Sequence, residues 1–304
     1  MKVLITGATG VVGKGLIEHL AQKQVQIHFL TTRKNQLQSI ENAKGFYWNP
    51  ANDQIDTACF LGVDRIIHLA GATVSKRWTK SYKALIHSSR IRSTQLLLKG
   101  LQSCKGEHQV TQLVSASAIG IYPSDFDKVV TEEDAVEPTT FMQKVVFDWE
   151  KEVAAFQAEG LNVAKIRIGL VLSKQGGVLG TLKIPVYFGL GAAFGNGKQG
   201  QSWIHLEDLV GIFSKALHDQ WEGVFNAVAP HPVTQSQLMA ALSRALKRPY
   251  FLPSIPSFLI KLGAGEMSDL VLDSHWVSAQ KVLDSGFAFH YPTLEEAMNN
   301  LLRP

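Results

Sequence analysis

Two hydrophobic periods alternate along the first half of the chain. Val3, Leu4 and Ile5 form a short unbroken apolar run, as a strand buried on both faces requires. Leu16, Ile17 and Leu20 follow at helical spacing. Val25, Ile27 and Phe29 then alternate with polar residues, the period of a second strand that ends at Leu30-Thr31-Thr32-Arg33-Lys34. Asp64 to Gly71 reads as a further strand with a small-residue ending. A helix is predicted from roughly Lys80 to Ser103, with Ile86, Leu97 and Leu101 along it. Gln112 to Ser117 is the next strand. Val145, Trp149, Val153 and Phe156 repeat at helical spacing, and Val163 to Ile168 is another strand. Strands and helices in alternation predict an α/β fold built on a doubly wound parallel sheet.

The turn after the first strand narrows the chemistry. Gly7, Gly10 and Gly13 are spaced so that one makes the tight turn, one lets backbone approach a phosphate, and one lets helix pack on strand. The helix start then presents unpaired N–H groups and partial positive charge to an anion, which points to a dinucleotide pyrophosphate. An NAD site places a carboxylate about 20 residues further on, for the ribose 2′-hydroxyl. No Asp or Glu lies between Glu18 and Glu41; Thr32, Arg33 and Lys34 stand there instead. A hydroxyl followed by a guanidinium suits a 2′-phosphate, so the expected cofactor is NADP(H).

Past Gly169 the pattern loosens. Phe188 to Gln201 carries glycines at 189, 191, 195, 197 and 200 and reads as a long flexible loop. Trp203 to Asp208 opens a helix through Leu217, and prolines mark turns from Ala229 onward. The predicted organisation is a Rossmann-like NADP-binding domain over residues 1–168, completed by about 203–228. Residues 169–202 and 229–304 form a smaller, mixed substrate or cap domain. The 304 residues are 45% apolar and 18% charged, enough for a sizeable core and against disorder. A net charge of +4 without a Lys/Arg block argues against nucleic acid. Two cysteines, Cys59 and Cys104, exclude a disulfide framework and a cysteine-based zinc site. With no apolar run of membrane-spanning length and no signal-peptide pattern, a soluble, cytoplasmic protein is expected.

Thr6-Gly7-x-x-Gly10-x-x-Gly13, His68-Leu69-Ala70-Gly71, Ser115-x-Ser117 and Trp203-Ile204-His205-x-x-Asp208 together resemble the extended short-chain dehydrogenase/reductase superfamily. Arg77-Trp78, Ser89-Arg90-Ile91-x-x-Thr94, Arg167-x-Gly169-x-Val171-Leu172, Ser202-Trp203-Ile204-His205 and Gly286-Phe287 narrow the likeness. They resemble its atypical epimerase-like group, often labelled nucleoside-diphosphate-sugar epimerase or cell-division inhibitor. The resemblance implies a Rossmann-like domain, an NADP preference and a substrate that is not settled for the group; a small molecule is expected, with sugar nucleotides and carbonyl compounds as the candidate classes. The expected cofactor contacts are Gly7, Thr9, Gly10, Val11, Val12, Gly13, Thr32, Arg33, Leu69, Ala70, Gly71 and Arg90. Arg90 stands where other members place an asparagine near the nicotinamide.

One departure bears on catalysis. The superfamily uses a tyrosine with a lysine four residues later, which lowers the phenol pKa. None of the six tyrosines here has that lysine, and aligned on Trp149-Glu150 the two positions hold Met142 and Val146. Ser117 matches the superfamily's catalytic serine, and Tyr122 offers a phenol five residues on; these are the candidate catalytic groups. Lys80, Lys83, His87 and Arg90 make a cationic helical stripe. Arg167 is open to two readings, an anion ligand or a loop buttress. His205, Glu207 and Asp208 lack a metal-ligand spacing, so no metal site is expected. Two functions lead: an NADP(H)-dependent oxidoreductase or epimerase-like enzyme with a substrate cleft between the Rossmann domain and the cap, or an inactive NADP(H)-binding sensor; a third, a cell-division or nucleic-acid partner, is suggested by the family label alone. The sequence leaves the oligomeric state open.

Overall fold

In a computed structural model, which describes residues 1–302, the N-terminal apolar run lies in β1 (Lys2–Thr6), with Val3, Leu4 and Ile5 fully buried. It leads into α1 (Val11–Gln22), β2 (Gln26–Thr31), β3 (Ala43–Asn49), β4 (Gln54–Ile55) and β5 (Arg65–His68). Then come α2 (Lys80–Ser103), β6 (Gln112–Ala118), β7 (Val129–Val130), α3 (Phe141–Ala154) and β8 (Asn162–Ile168). The later elements are β9 (Leu170–Ser173), β10 (Gly176–Gly177), α4 (Val178–Tyr187), β11 (Gly200–Gln201), β12 (Trp203–His205), α5 (Leu206–His218) and β13 (Gly223–Ala227). The chain closes with β14 (Val233–Thr234), α6 (Gln235–Ala245), α7 (Ser257–Ala264), α8 (Asp269–Leu272), β15 (Trp276–Val277), α9 (Gln280–Asp284) and α10 (Leu294–Leu302).

Among the described residues the large sheet has eight strands in the order β13-β8-β6-β5-β1-β2-β3-β4. β1 pairs in parallel with β2 and β5, β2 with β3, and β5 with β6; the short β4 runs antiparallel on the edge. The order reverses at β1, whose neighbours are β2 on one side and β5 on the other. That is the switch point of a doubly wound α/β sheet, where ligands bind beyond the strands' carboxyl ends. The α/β expectation therefore holds.

By its internal contacts the chain divides into two units. The first comprises Met1–Ala118, Thr139–Arg167 and Val210–Phe225. Its returning segment is fastened by the buried Gln112, whose amide donates to the carbonyls of Ala216 (2.9 Å) and Trp221 (3.2 Å). The second unit comprises Ile119–Pro138, Ile168–Leu209 and the chain from Asn226 onward. Its core gathers Leu172, Leu179, Val186, Trp203, Leu242 and Met298 from α4, α6, α10 and neighbouring strands.

The element ends differ from the periodicity for local reasons. Val25 stays out of β2 because its N–H closes the end of α1 on Leu20 O, after Gln24 takes a left-handed φ of 56°. Phe156 is buried as expected but lies in a 3₁₀ turn following α3. The glycine-rich stretch from Phe188 is not a loose loop. Gly195 N–H and Ile255 N–H exchange bonds with Ile255 O and Ala193 O, and Phe194 N–H donates to Gln235. The buried Gln199 amide ties Phe194 O to Val271 O. Its glycines serve positive φ values at 189, 195 and 197, so here they specify a fixed path.

Candidate functional site

At the carboxyl end of β1 the three glycines are sterically required to different degrees. Gly7 has φ +71°, and a Cβ there would lie 2.9 Å from the Leu69 carbonyl carbon. A Cβ on Gly13 would lie 2.4 Å from Gly7 O, a contact with backbone that only a shift of the chain could relieve. Gly10 is exposed, meets only Gly7 O at 3.3 Å, and caps α1 without a side-chain bond. The first turn of α1 also holds no acidic residue. Its N–H groups are thus left without a side-chain acceptor, which is the condition an oxyanion needs. Thr9 is exposed, and Val11 and Val12 are half-buried beside it.

β2 lies next to β1 in parallel register and ends beside it, where Thr32 and Arg33 are both exposed. Arg33 N–H turns the chain by donating to Thr31 Oγ1 (3.2 Å). Lys34 stands over the Tyr47 ring, 4.9 Å from its centroid.

On the other side of β1, the end of β5 is organised by a buried histidine. Thr94 Oγ1 donates its proton to Arg90 O (2.8 Å), so it accepts from His68 Nε2–H (2.9 Å). His68 Nδ1 is therefore bare and accepts from Thr6 Oγ1–H (2.8 Å). Thr6 Oγ1 in turn accepts the N–H groups of Leu69 (3.0 Å) and Ala70 (3.1 Å). This chain of bonds stops β5 at His68 and sets the path of Leu69, Ala70 and Gly71. Full burial pushes the His68 pKa down to about 3, which keeps the ring neutral and in one tautomer.

Arg90 lies against that turn. Its Nη1 donates to Ala72 O (3.2 Å) and Ile86 O (3.0 Å), and its guanidinium sits over the Trp149 ring at 5.2 Å. A Cβ on Gly71 would come within 3.1 Å of the Arg90 Cζ. Burial pushes the Arg90 pKa down to about 10, leaving it charged at neutral pH. The cationic stripe is otherwise divided: Lys80 is exposed, Lys83 lies over the Phe141 ring, and His87 pairs with Asp148 (2.9 Å).

Ser117 is buried at the end of β6, and its hydroxyl donates to Glu150 Oε1 (2.6 Å). Arg167 Nε and Nη2 grip both oxygens of the same carboxylate (2.8 and 2.9 Å). Burial raises the Glu150 pKa, but the Arg167 bonds and charge, with Ser117 and Lys165, outweigh it and hold the group below the ordinary carboxylate value. The anion that Arg167 meets is therefore a residue of its own unit. Met142 is half-buried and Val146 buried on α3, two turns and one turn respectively before Glu150.

Tyr122 belongs to the second unit, directly after the 3₁₀ turn Ile119–Ile121 that follows β6, and is fully buried with its phenol donating to Asn226 Oδ1 (2.8 Å). His205 accepts Glu207 N–H at Nδ1 (3.1 Å) and faces Asn300 Oδ1 through Nε2 (3.3 Å), with its ring 3.9 Å from that of Tyr291. Asp208 accepts the N–H groups of His290 and Tyr291 (2.7 and 3.0 Å), although burial raises its pKa. Among the described residues no group of three or more His, Cys, Asp or Glu could hold a metal ion. No helix among them is long and apolar enough to cross a membrane.

The structure thus brings Gly7, Gly10 and Gly13 together with Leu69, Ala70, Gly71 and Arg90. It also adds Thr6, His68, Thr94 and Glu150, which periodicity did not single out, and Trp149, which periodicity placed only on a helix's apolar face. A histidine in an apolar strand, a threonine at a strand end and a carboxylate within a helical apolar face were the available signals.

Comparison with known proteins gives the same picture over nearly the whole chain. The sequence profile of the NAD dependent epimerase/dehydratase family matches residues 3–227, and a domain of unknown function matches residues 255–301. The epimerase family proteins of Staphylococcus saprophyticus and Staphylococcus haemolyticus are 37% and 38% identical over 300 residues, covering 98% of this chain and 98% of each relative. The human epimerase family protein SDR39U1, solved with NADPH, superposes with a TM-score of 0.87 at 25% identity over 99% of both chains. A nucleoside-diphosphate sugar epimerase from Corynebacterium glutamicum gives 0.79 at 28% identity, covering 99% of this chain and 58% of that one.

Proposed function

Because the chain belongs to the NAD dependent epimerase/dehydratase family, we propose that it binds NADP(H) and exchanges hydride with a small carbonyl compound or sugar nucleotide. The observation that carries the reading is the uncapped start of α1 behind Gly10, with the exposed Arg33 at the end of the adjoining strand. Gly7, Thr9, Gly10, Val11, Val12 and Gly13 would cradle the pyrophosphate through backbone N–H groups. Thr32 and Arg33 would take the 2′-phosphate, a charge-assisted contact that NADH cannot make. Leu69, Ala70, Gly71 and Arg90 would complete the wall at β5. The presence of NADPH in the human relative supports the NADP preference. When bound, the nicotinamide supplies the hydride chemistry. Residues 1–168, completed by about 203–228, serve as the nucleotide domain in this proposal, and 169–202 with 229–304 take the substrate.

Proton supply needs a substitute for the tyrosine–lysine pair. The Ser117 hydroxyl is engaged by Glu150 and the Tyr122 phenol by Asn226, so water is the readiest donor. A second reading, a sensor that holds NADP(H) without turnover, draws on Met142 and Val146 at the relay positions.

Calorimetric titration separates these cases. NADPH should bind more tightly than NADH, and Arg33→Ala should weaken NADPH by roughly tenfold or more while sparing NADH. Equal losses for both would place the 2′-phosphate elsewhere, and absence of any NADP(H) binding would end the proposal. NADPH consumption with a panel of carbonyl compounds and nucleotide sugars supports the enzyme. A silent panel together with NADPH-dependent capture of a partner supports the sensor.

A further inference from the structure

Two arginines of the first unit are held against rigid surroundings, and they differ in one respect. Arg167 fills its Nε–Nη2 edge with both oxygens of Glu150. Arg90 spends Nη1 on two backbone carbonyls, Ala72 O and Ile86 O, and leaves the same Nε–Nη2 edge without a hydrogen bond. No carboxylate pairs with it among the described residues; the one nearby ionisable group acting on it is the Tyr82 phenol. The residue is partly rather than fully buried.

The guanidinium is also fixed in place. It rests on the Trp149 ring, and its Nη1 is held by the carbonyls of Ala72 and Ile86. The Ala72 N–H is in turn bound by Ser89 Oγ (2.9 Å), so the turn that the guanidinium touches is itself anchored to α2. Gly71 is the residue that admits it, because a Cβ there would meet Arg90 Cζ at 3.1 Å and Cγ at 3.2 Å. A planar fork that is already immobile loses little side-chain entropy on binding, and a partly desolvated cation without a counter-charge gains more from an anion than a solvated one does.

We propose that the Nε–Nη2 edge of Arg90 is a preformed receptor for one oxyanion, bound side-on and bidentate as Arg167 binds Glu150. The inference deepens the cofactor reading above and rests on it for its biological source. The oxyanion is either a phosphate of the dinucleotide or an anionic group of the substrate. Both offer two oxygens at the spacing the fork matches. Where the dinucleotide supplies the oxyanion, Arg90 contributes to NADPH and NADH alike, unlike Arg33, which in the cofactor reading meets the 2′-phosphate alone.

The test uses the full chain, with Arg90→Gln to remove the charge and Arg90→Lys to keep the charge without the fork. If the dinucleotide supplies the oxyanion, both variants bind NADPH and NADH roughly tenfold to a hundredfold more weakly, in equal proportion, and inorganic pyrophosphate competes with NADPH only in the wild type. If the substrate supplies it, cofactor affinity is unchanged, but the thermal stabilisation that inorganic phosphate or UDP gives the NADP-loaded protein disappears in both variants. Should either variant fold poorly, the Arg90 Nε–H resonance of the wild type reports directly, shifting on addition of NADPH or of phosphate. A wild type that ignores NADPH while this resonance still responds to phosphate would remove the cofactor reading and keep the receptor. Unchanged affinities and stabilisation in Arg90→Gln, with a resonance that none of the probes moves, would overturn it.

Discussion

Glu150 shows how a single buried residue sets the character of its surroundings. Its carboxylate takes bonds from Ser117 and from both nitrogens of the Arg167 fork, so removing it strands a buried cation. Glu150→Ala should cost about 3–5 kcal/mol, whereas replacing Glu150 and Arg167 together by Leu and Met should cost much less than the two single changes summed. Urea unfolding of the three variants measures this, and additive losses would contradict it. The same carboxylate adds a pH dependence: with its pKa depressed, its contribution is complete above the ordinary carboxylate range and fades as pH falls through the lowered value. His68 acts over a higher window. The unfolded chain takes up a proton near 6.5 that the folded ring refuses until about 3, so stability falls as pH drops between those values. His68→Gln should flatten that slope between pH 7 and 5. Parallel curves for variant and wild type would show that the histidine is not buried as a neutral ring.

Helix starts carry the next level of organisation, and they separate by whether a side chain closes them. α3 and α6 open with full capping boxes, Thr140 with Gln143 and Thr234 with Gln237, while α1 opens on Gly10 with none. Thr140→Ala should cost about 1 kcal/mol, read as a shift in the urea midpoint. Glycine-to-alanine changes should have opposite signs in two helices. At Gly13 the new Cβ meets Gly7 O at 2.4 Å and backbone must move, so stability and cofactor affinity should both fall. At Gly180, in α4, nothing lies within 4 Å, and alanine should stabilise by about 0.5–1 kcal/mol. A harmless Gly13→Ala would mean that α1 does not pack on the turn as closely as it does here.

For the molecule as a whole, a ligand confined to one unit should protect that unit. NADPH at a hundred times its Kd should stabilise the first unit by about 2.7 kcal/mol, with NADH giving less at equal concentration. Scanning calorimetry with and without each nucleotide reads the difference. Identical scans in the presence of NADPH would contradict the proposed function at this scale.

Much of this architecture was legible in local order. The strand at Val3–Ile5, the three glycines and the helix from Lys80 to Ser103 each announce themselves through spacing within a few residues. Short-range sterics decide them, and neighbours in sequence are enough. Contacts between distant residues were not legible. Gln112 reaches Ala216 and Trp221 across more than a hundred residues, and His68 joins Thr6 to Thr94. The partner that neutralises Arg167, and the lack of one that leaves the Arg90 edge open, are set by which groups the folded chain places within hydrogen-bonding distance. Hydrophobic period names the face a residue occupies, whereas the identity of its bonding partner exists only once the chain has closed on itself.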